Sequence, residues 1–215
     1  MLQQISKIEL AQAQLALLLA IFLQFIVWRA NHGFSRAQLF IIIAEIAMVS
    51  VVSFSASVRT LHSRTLYRFA AISLLVLMSA ANLSSLIVVI HSLITGSTNL
   101  NGLQLLASAV AIFLTNIIVF ALWYWEIDSP GLTRKRWSAR EKDFQFTHQN
   151  LKDEFPGWKP EFLDYLYLSV TNAINFAPAD SKPLTRSAKM LMGAQALVSA
   201  FTVAIVIARS VSILG

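Results

Sequence analysis

The sequence has no cysteine, and only 13% of its 215 residues are Asp, Glu, Lys or Arg. Without thiols the chain can form neither a disulfide nor a thiolate metal site, and cysteine usage gives no redox compartment. So few charges cannot cover the surface of a globular domain. Catalytic patterns are missing as well: there is no HExxH, no phosphate-binding glycine loop and no His paired with an acid at ligand spacing. The chain therefore reads as a non-enzyme without cofactor or metal. No apolar run carries the arginine ladder at three-residue spacing that marks a voltage sensor.

What the sequence does have is apolar length. Hydrophobic residues make up 56% of it, and the mean hydropathy is +0.63. Five windows approach or exceed the roughly 20 residues needed to cross a hydrocarbon core: Leu10 to Trp28, Leu39 to Val58, Phe69 to Ile94, Leu103 to Trp125, and Ala188 to Leu214. The first could be a signal peptide, but its apolar run is long and no small-x-small site follows at Trp28 and Arg29. Short connections between the first four spans predict an antiparallel bundle. The expected division is a three-span peripheral region, 1–102, and a second region, 103–215, that carries the remaining features. The aromatic run Trp123, Tyr124, Trp125 suits a membrane interface.

A few polar residues interrupt these windows. Glu45 is the costliest, because a carboxylate inside a bilayer must be paired, wet or protonated. It reads as a structural partner of Asn82 or Asn116 across helices, or else as an ion or proton site. His91 reads as an interfacial residue.

The longest connection, Glu126 to Pro160, is rich in both charge signs and reads as solvated. The stretch after it is too short and too polar to span. Pro160 suits a first helical turn, Glu161 and Asp164 suit a helix N-terminus, and Phe162, Leu163, Leu166 and Leu168 recur at helical spacing. The pattern predicts a helix of about four turns ending near Ile174 or Asn175, roughly half a membrane crossing. Such a helix could lie on the membrane surface, form ordinary loop structure, or dip into the bundle as a re-entrant pore helix.

From Val170 the chain reads VTNAINFAPADSKPLTRSAK and enters the last apolar window. The order resembles the pore module of the tetrameric potassium channel-like superfamily: outer helix, loop, pore helix, filter, inner helix. The aspartate that closes the filter, and the proline, threonine, small residue and base beyond it, correspond to Asp180, Pro183, Thr185, Ala188 and Lys189. Laid over a TVGYG-type filter, however, the residues are Asn175, Phe176, Ala177, Pro178 and Ala179. Potassium filters need glycine to aim backbone carbonyls at the ion, and alanine and proline resist those angles. The resemblance therefore implies a non-potassium filter, in which rings of Thr171, Asn172 or Asn175, with Asp180 at the mouth, would form a weakly selective path for monovalent cations. Phe176 and Pro178 could equally plug it. Gly193 and Ser199 are the inner-helix positions for a hinge or a close contact. A plainer reading also stands, in which Asp180 and Ser181 turn the chain and Thr185 caps the last helix.

Charge distribution pulls against the resemblance. With five spans, 14 of the 17 Lys and Arg fall on the side of the long loop, leaving Arg29, Arg36 and Arg209 opposite. The positive-inside rule puts that loop in the cytoplasm, whereas potassium channels open their pore loop outward. The expected architecture is an all-α integral membrane protein of about five transmembrane helices plus a re-entrant pore-type half-helix, located in a bacterial-type inner or plasma membrane. The expected partners are the lipid bilayer and three further copies of the chain in a homotetramer, not nucleic acid. The alternatives are a non-conducting scaffold that keeps the pore-loop fold and, less favoured for want of an inverted repeat, an ion-coupled transporter using Glu45.

Overall fold

A computed structural model describes residues 7–30, 36–55, 63–95, 102–128, 142–151, 153–175 and 180–214. Filter positions Phe176, Ala177, Pro178 and Ala179 lie outside the described residues. The elements run α1 (Lys7–Ala30), α2 (Arg36–Ser55), α3 (Ser63–Thr95), α4 (Gly102–Asp128), β1 (Phe144–Phe146), α5 (Phe162–Asn175), β2 (Ser181–Pro183) and α6 (Arg186–Leu214). A single 3-10 turn, Thr147–Gln149, follows β1.

Four helices are long and apolar enough to cross a bilayer, over Ile8–Ala30, Phe69–Ile94, Gly102–Asp128 and Arg186–Ala208. The fold is thus all-helical and of multi-pass membrane type. A further, shorter apolar stretch, Phe40–Ser50, lies within the 20-residue α2. Large apolar side chains such as Leu15, Phe22, Val76, Leu83, Leu197 and Phe201 are exposed in mid-helix, as suits a hydrocarbon solvent.

The bundle is organised around α4. Its 27 residues contain no proline and no internal glycine, and Ser108 and Thr115 return their hydroxyls to the helix's own carbonyls at Gln104 and Ala111, each at 2.8 Å. Neither hydroxyl is left unpaired to the lipid. Its first half buries one stripe, Leu105, Ser108, Ala109 and Ile112, while from Thr115 onward nearly every residue is buried. The change comes from packing: α1, α3, α5 and α6 all contact α4. Helices α1 and α3 of the 1–102 region thus pack directly on the first helix of the 103–215 region. The helix stops at Asp128, just before Pro130 and Gly131 in the sequence.

Part of the long connection is ordered differently from the solvated loop expected. β1 pairs antiparallel with β2 in the register Phe144↔Pro183, Gln145↔Lys182 and Phe146↔Ser181. The ladder continues at both ends, with Leu184 N donating to Asp143 O at 2.8 Å and Thr147 N to Asp180 O at 2.9 Å. This ribbon ties the chain before α5 to the chain after it.

Candidate functional site around the half-span helix

α5 begins where the sequence indicates. Asp164 Oδ2 accepts the Glu161 N–H at 2.7 Å, and Asp164 N donates back to the Glu161 carbonyl at 3.0 Å. The exchange satisfies amides that a helix start leaves open. The helix is 14 residues long and buries Phe162, Tyr165, Leu168, Ser169, Thr171, Asn172 and Ala173, while Leu163, Tyr167, Ile174 and Asn175 are exposed.

The aromatic run on α4 does not form an interfacial belt. Successive helical residues are rotated by about 100°, and the three send their polar tips to three different helices. Trp123 Nε1 donates to Ser79 Oγ on α3 at 2.9 Å, Tyr124 Oη to Gln195 Oε1 on α6 at 2.5 Å, and Trp125 Nε1 to Glu9 Oε1 on α1 at 2.8 Å. Tyr124 and Trp125 are fully buried. An aromatic with a polar tip suits an interface in lipid or in protein equally, so the sequence alone could not separate the two.

Polar side chains then join α5 to both neighbouring spans. Ser169 Oγ donates to the Ile117 carbonyl on α4 at 2.6 Å. Gln195 Nε2 on α6 donates to Ser169 Oγ at 2.7 Å and to the Ser169 carbonyl at 3.0 Å. Asn172 Nδ2 lies 2.8 Å from Gln195 Oε1, 3.1 Å from the Met192 carbonyl and 3.3 Å from Tyr124 Oη. Farther along the same pair of spans, Asn116 Nδ2 donates to Ser199 Oγ at 3.0 Å. Every member is buried, so each bond is made where water cannot replace it.

A second anchor holds the start of α5 to the end of α4. Asp128 Oδ1 accepts the backbone N–H of Asp143 at 2.6 Å and of Phe144 at 3.0 Å, and Oδ2 accepts the Tyr165 hydroxyl at 2.6 Å. Rings close around this point: Phe144 on Tyr124 at 5.2 Å, Phe162 on Trp125 at 5.5 Å, and Phe146 on Tyr165 at 5.3 Å. Beyond them His148 stacks on Trp158 at 4.7 Å. Gly157, with φ at +79° and no neighbour within 4 Å of a notional Cβ, makes the turn just before Trp158.

The expected site residues separate into distinct environments. Asn175 and Asp180 are exposed, at the end of α5 and just before β2. Thr171 Oγ1 bonds the Tyr167 and Leu168 carbonyls of its own helix, and Asn172 belongs to the network above. Ser199 is a fully buried contact with α4, whereas Gly193 is exposed and makes no close approach within the chain. Thr185 caps α6, accepting the Ala188 N–H at 3.2 Å, and its hydroxyl also bonds the Asp143 carboxylate. The network residues that the sequence reading did not assign to the site are Gln195, Ser169, Tyr124 and Asp128. Gln195 stands out as a lone amide in the last apolar window, but nothing in the sequence names its partners.

Glu45 is fully buried, and its partner is neither Asn82 nor Asn116. With the Gln24 amide nitrogen turned toward the carboxylate, Gln24 Nε2 lies 2.8 Å from Oε2 and 3.2 Å from Oε1. The reason is placement: α2 packs on α1 and α3, while Asn116 on α4 faces α6. Asn82 Oδ1 has no partner among the described residues.

No protein family, curated protein or solved structure matches the chain.

Proposed function

We propose that the chain is a subunit of a channel-like membrane protein, in which α5 is a re-entrant half-helix and four copies set the 175–180 segment around a weakly selective cation path. In this reading α2 is the fifth span, α4 the outer helix and α6 the inner helix. The observation that carries the proposal is the depth of α5. Its start is held at the Asp128 end of α4, yet Ser169 reaches the Ile117 carbonyl, about 16 Å farther along the helix axis. The chain then returns, because Asp180 to Pro183 pair with the segment that Asp128 holds. Going in and coming back on one side is the property that separates a re-entrant helix from a surface helix. The C-terminal end of α5 carries partial negative charge, and Asn175 and Asp180 add exposed oxygens near it; all three favour a cation.

A non-conducting scaffold is the second reading, favoured by the commitment of Thr171 and Asn172 to bonds within one subunit. Particle mass in nanodiscs, followed by cation flux into liposomes, separates the two. The channel reading expects a tetramer whose flux falls in Asp180→Asn and Asn175→Ala. A tetramer without flux supports the scaffold, and a monomer or dimer overturns the channel reading.

A further inference from the structure

A pocket of about 230 Å³ opens beside α5, on a different face from the bonds to α4 and α6. Asp164, Tyr167, Leu168 and Thr171 supply one wall, one stripe of the helix at i, i+3, i+4 and i+7. Phe146, His148, Asp180 and Ser181 supply the other. Phe146 and Ser181 are cross-strand partners, so one rung of the ribbon forms part of this second wall.

The lining specifies the charge and size of an occupant. Among the described residues that line it are two acids, Asp164 and Asp180, and no Lys or Arg, which favours a cationic occupant. Phe146 and Leu168 are buried apolar surfaces that fit methylene groups, and the exposed ring of Tyr167 offers a face to a cation. Ser181 is an independent sign of a missing partner. It is only 6% exposed, and its hydroxyl has no hydrogen-bond partner among the described residues. A buried hydroxyl left so carries a desolvation cost that a ligand donor would relieve.

We propose that this pocket binds an alkylammonium group, its methylenes on Phe146 and Leu168 and its ammonium shared between Asp164, Asp180 and the Ser181 hydroxyl. The group could come from a soluble amine or from the ethanolamine headgroup of a lipid, since the pocket sits where α4 and α5 leave the apolar bundle. The site stands whether or not the chain conducts.

The test uses the full chain in phosphatidylcholine nanodiscs, titrated with 1,4-diaminobutane at constant ionic strength by calorimetry. A parallel set of discs contains phosphatidylethanolamine, with the lipid retained on the protein counted by native mass spectrometry. A soluble source predicts one saturable diamine site per chain that phosphatidylethanolamine leaves unchanged. A lipid source predicts retained phosphatidylethanolamine that competes with the diamine. In either case Asp180→Asn, at an exposed position that folding does not require, weakens binding about ten-fold, the scale of one charge-assisted hydrogen bond. Tyr167→Ala weakens it less. No saturable binding in either arm overturns the proposal, as does binding that both variants leave intact. Equal binding of magnesium ion also overturns it, since that marks only diffuse negative charge.

Discussion

α4 and α6 are both long, apolar helices able to cross a membrane, yet 72% of the α4 window is buried inside the protein against 28% for α6. The difference lies in how the two use polar side chains. Those of α4 point several ways, Trp125 to α1, Trp123 to α3, Asp128 to α5 and Asn116 to α6. Those of α6 lie on one seam: Ala188, Met192, Gln195, Ser199, Thr202 and Ile205 are its buried residues among those described, three or four apart. The remainder of α6, with Met190, Leu197, Phe201 and Ile207 exposed, faces lipid or another copy of the chain. Hydropathy alone separates a spanning helix from a soluble one; the placement of its few polar atoms separates a hub from a peripheral helix.

Substitutions can break this contrast, and the largest effect is expected at the end of the hub. Asp128→Ala removes the acceptor of two backbone amides and of the Tyr165 hydroxyl at once. It should cost about 3 kcal/mol or more, the scale of several buried donors left unpaired. Thermal unfolding in detergent, with Asp128→Asn as a milder control, measures it. Next comes Gln195→Leu on the seam, which strips partners from Ser169, Asn172 and Tyr124. About 2 kcal/mol is expected, at the upper end for polar contacts between membrane helices. A loss no greater than that of a lipid-facing substitution would end the claim that polar atoms organise the bundle.

Smaller effects sharpen the comparison. Thr185→Val deletes the cap of α6 and the bond to Asp143 and should cost about 1 kcal/mol. Increased amide exchange confined to the first turn of α6 and to the ribbon is the expected signature. Leu197→Ala and Phe201→Ala should change the stability of the dissociated chain by no more than about 0.5 kcal/mol, because neither side chain is packed within it. If α6 packs against other copies, the same pair lowers the mass of the assembled particle. If the face meets only lipid, the mass is unchanged.

Much of the architecture was legible in residue order. Long uncharged windows can be satisfied only by helices in lipid, and the Pro160, Glu161, Asp164 pattern marked the start of α5 to within a residue. Thr185 was readable as a cap for the same reason: the preference for Ser and Thr at a helix start is local. The ribbon was not readable, since three-residue strands carry almost no period and their partners lie far apart in the chain, 37 residues for Gln145 and Lys182.

By itself, then, the sequence determined that the chain is helical, apolar enough for a bilayer, and interrupted by one helix too short to cross it. These properties follow from composition and from contacts within a few residues. Only the tertiary structure decided which side chains meet: Trp123, Tyr124 and Trp125 turn inward, Glu45 pairs with Gln24 in place of Asn82 or Asn116, and Thr171 and Asn172 bond within the chain. Each outcome depends on how helices are rotated against one another. A residue's type fixes what it can bond, and helix packing fixes what lies within about 3 Å of it.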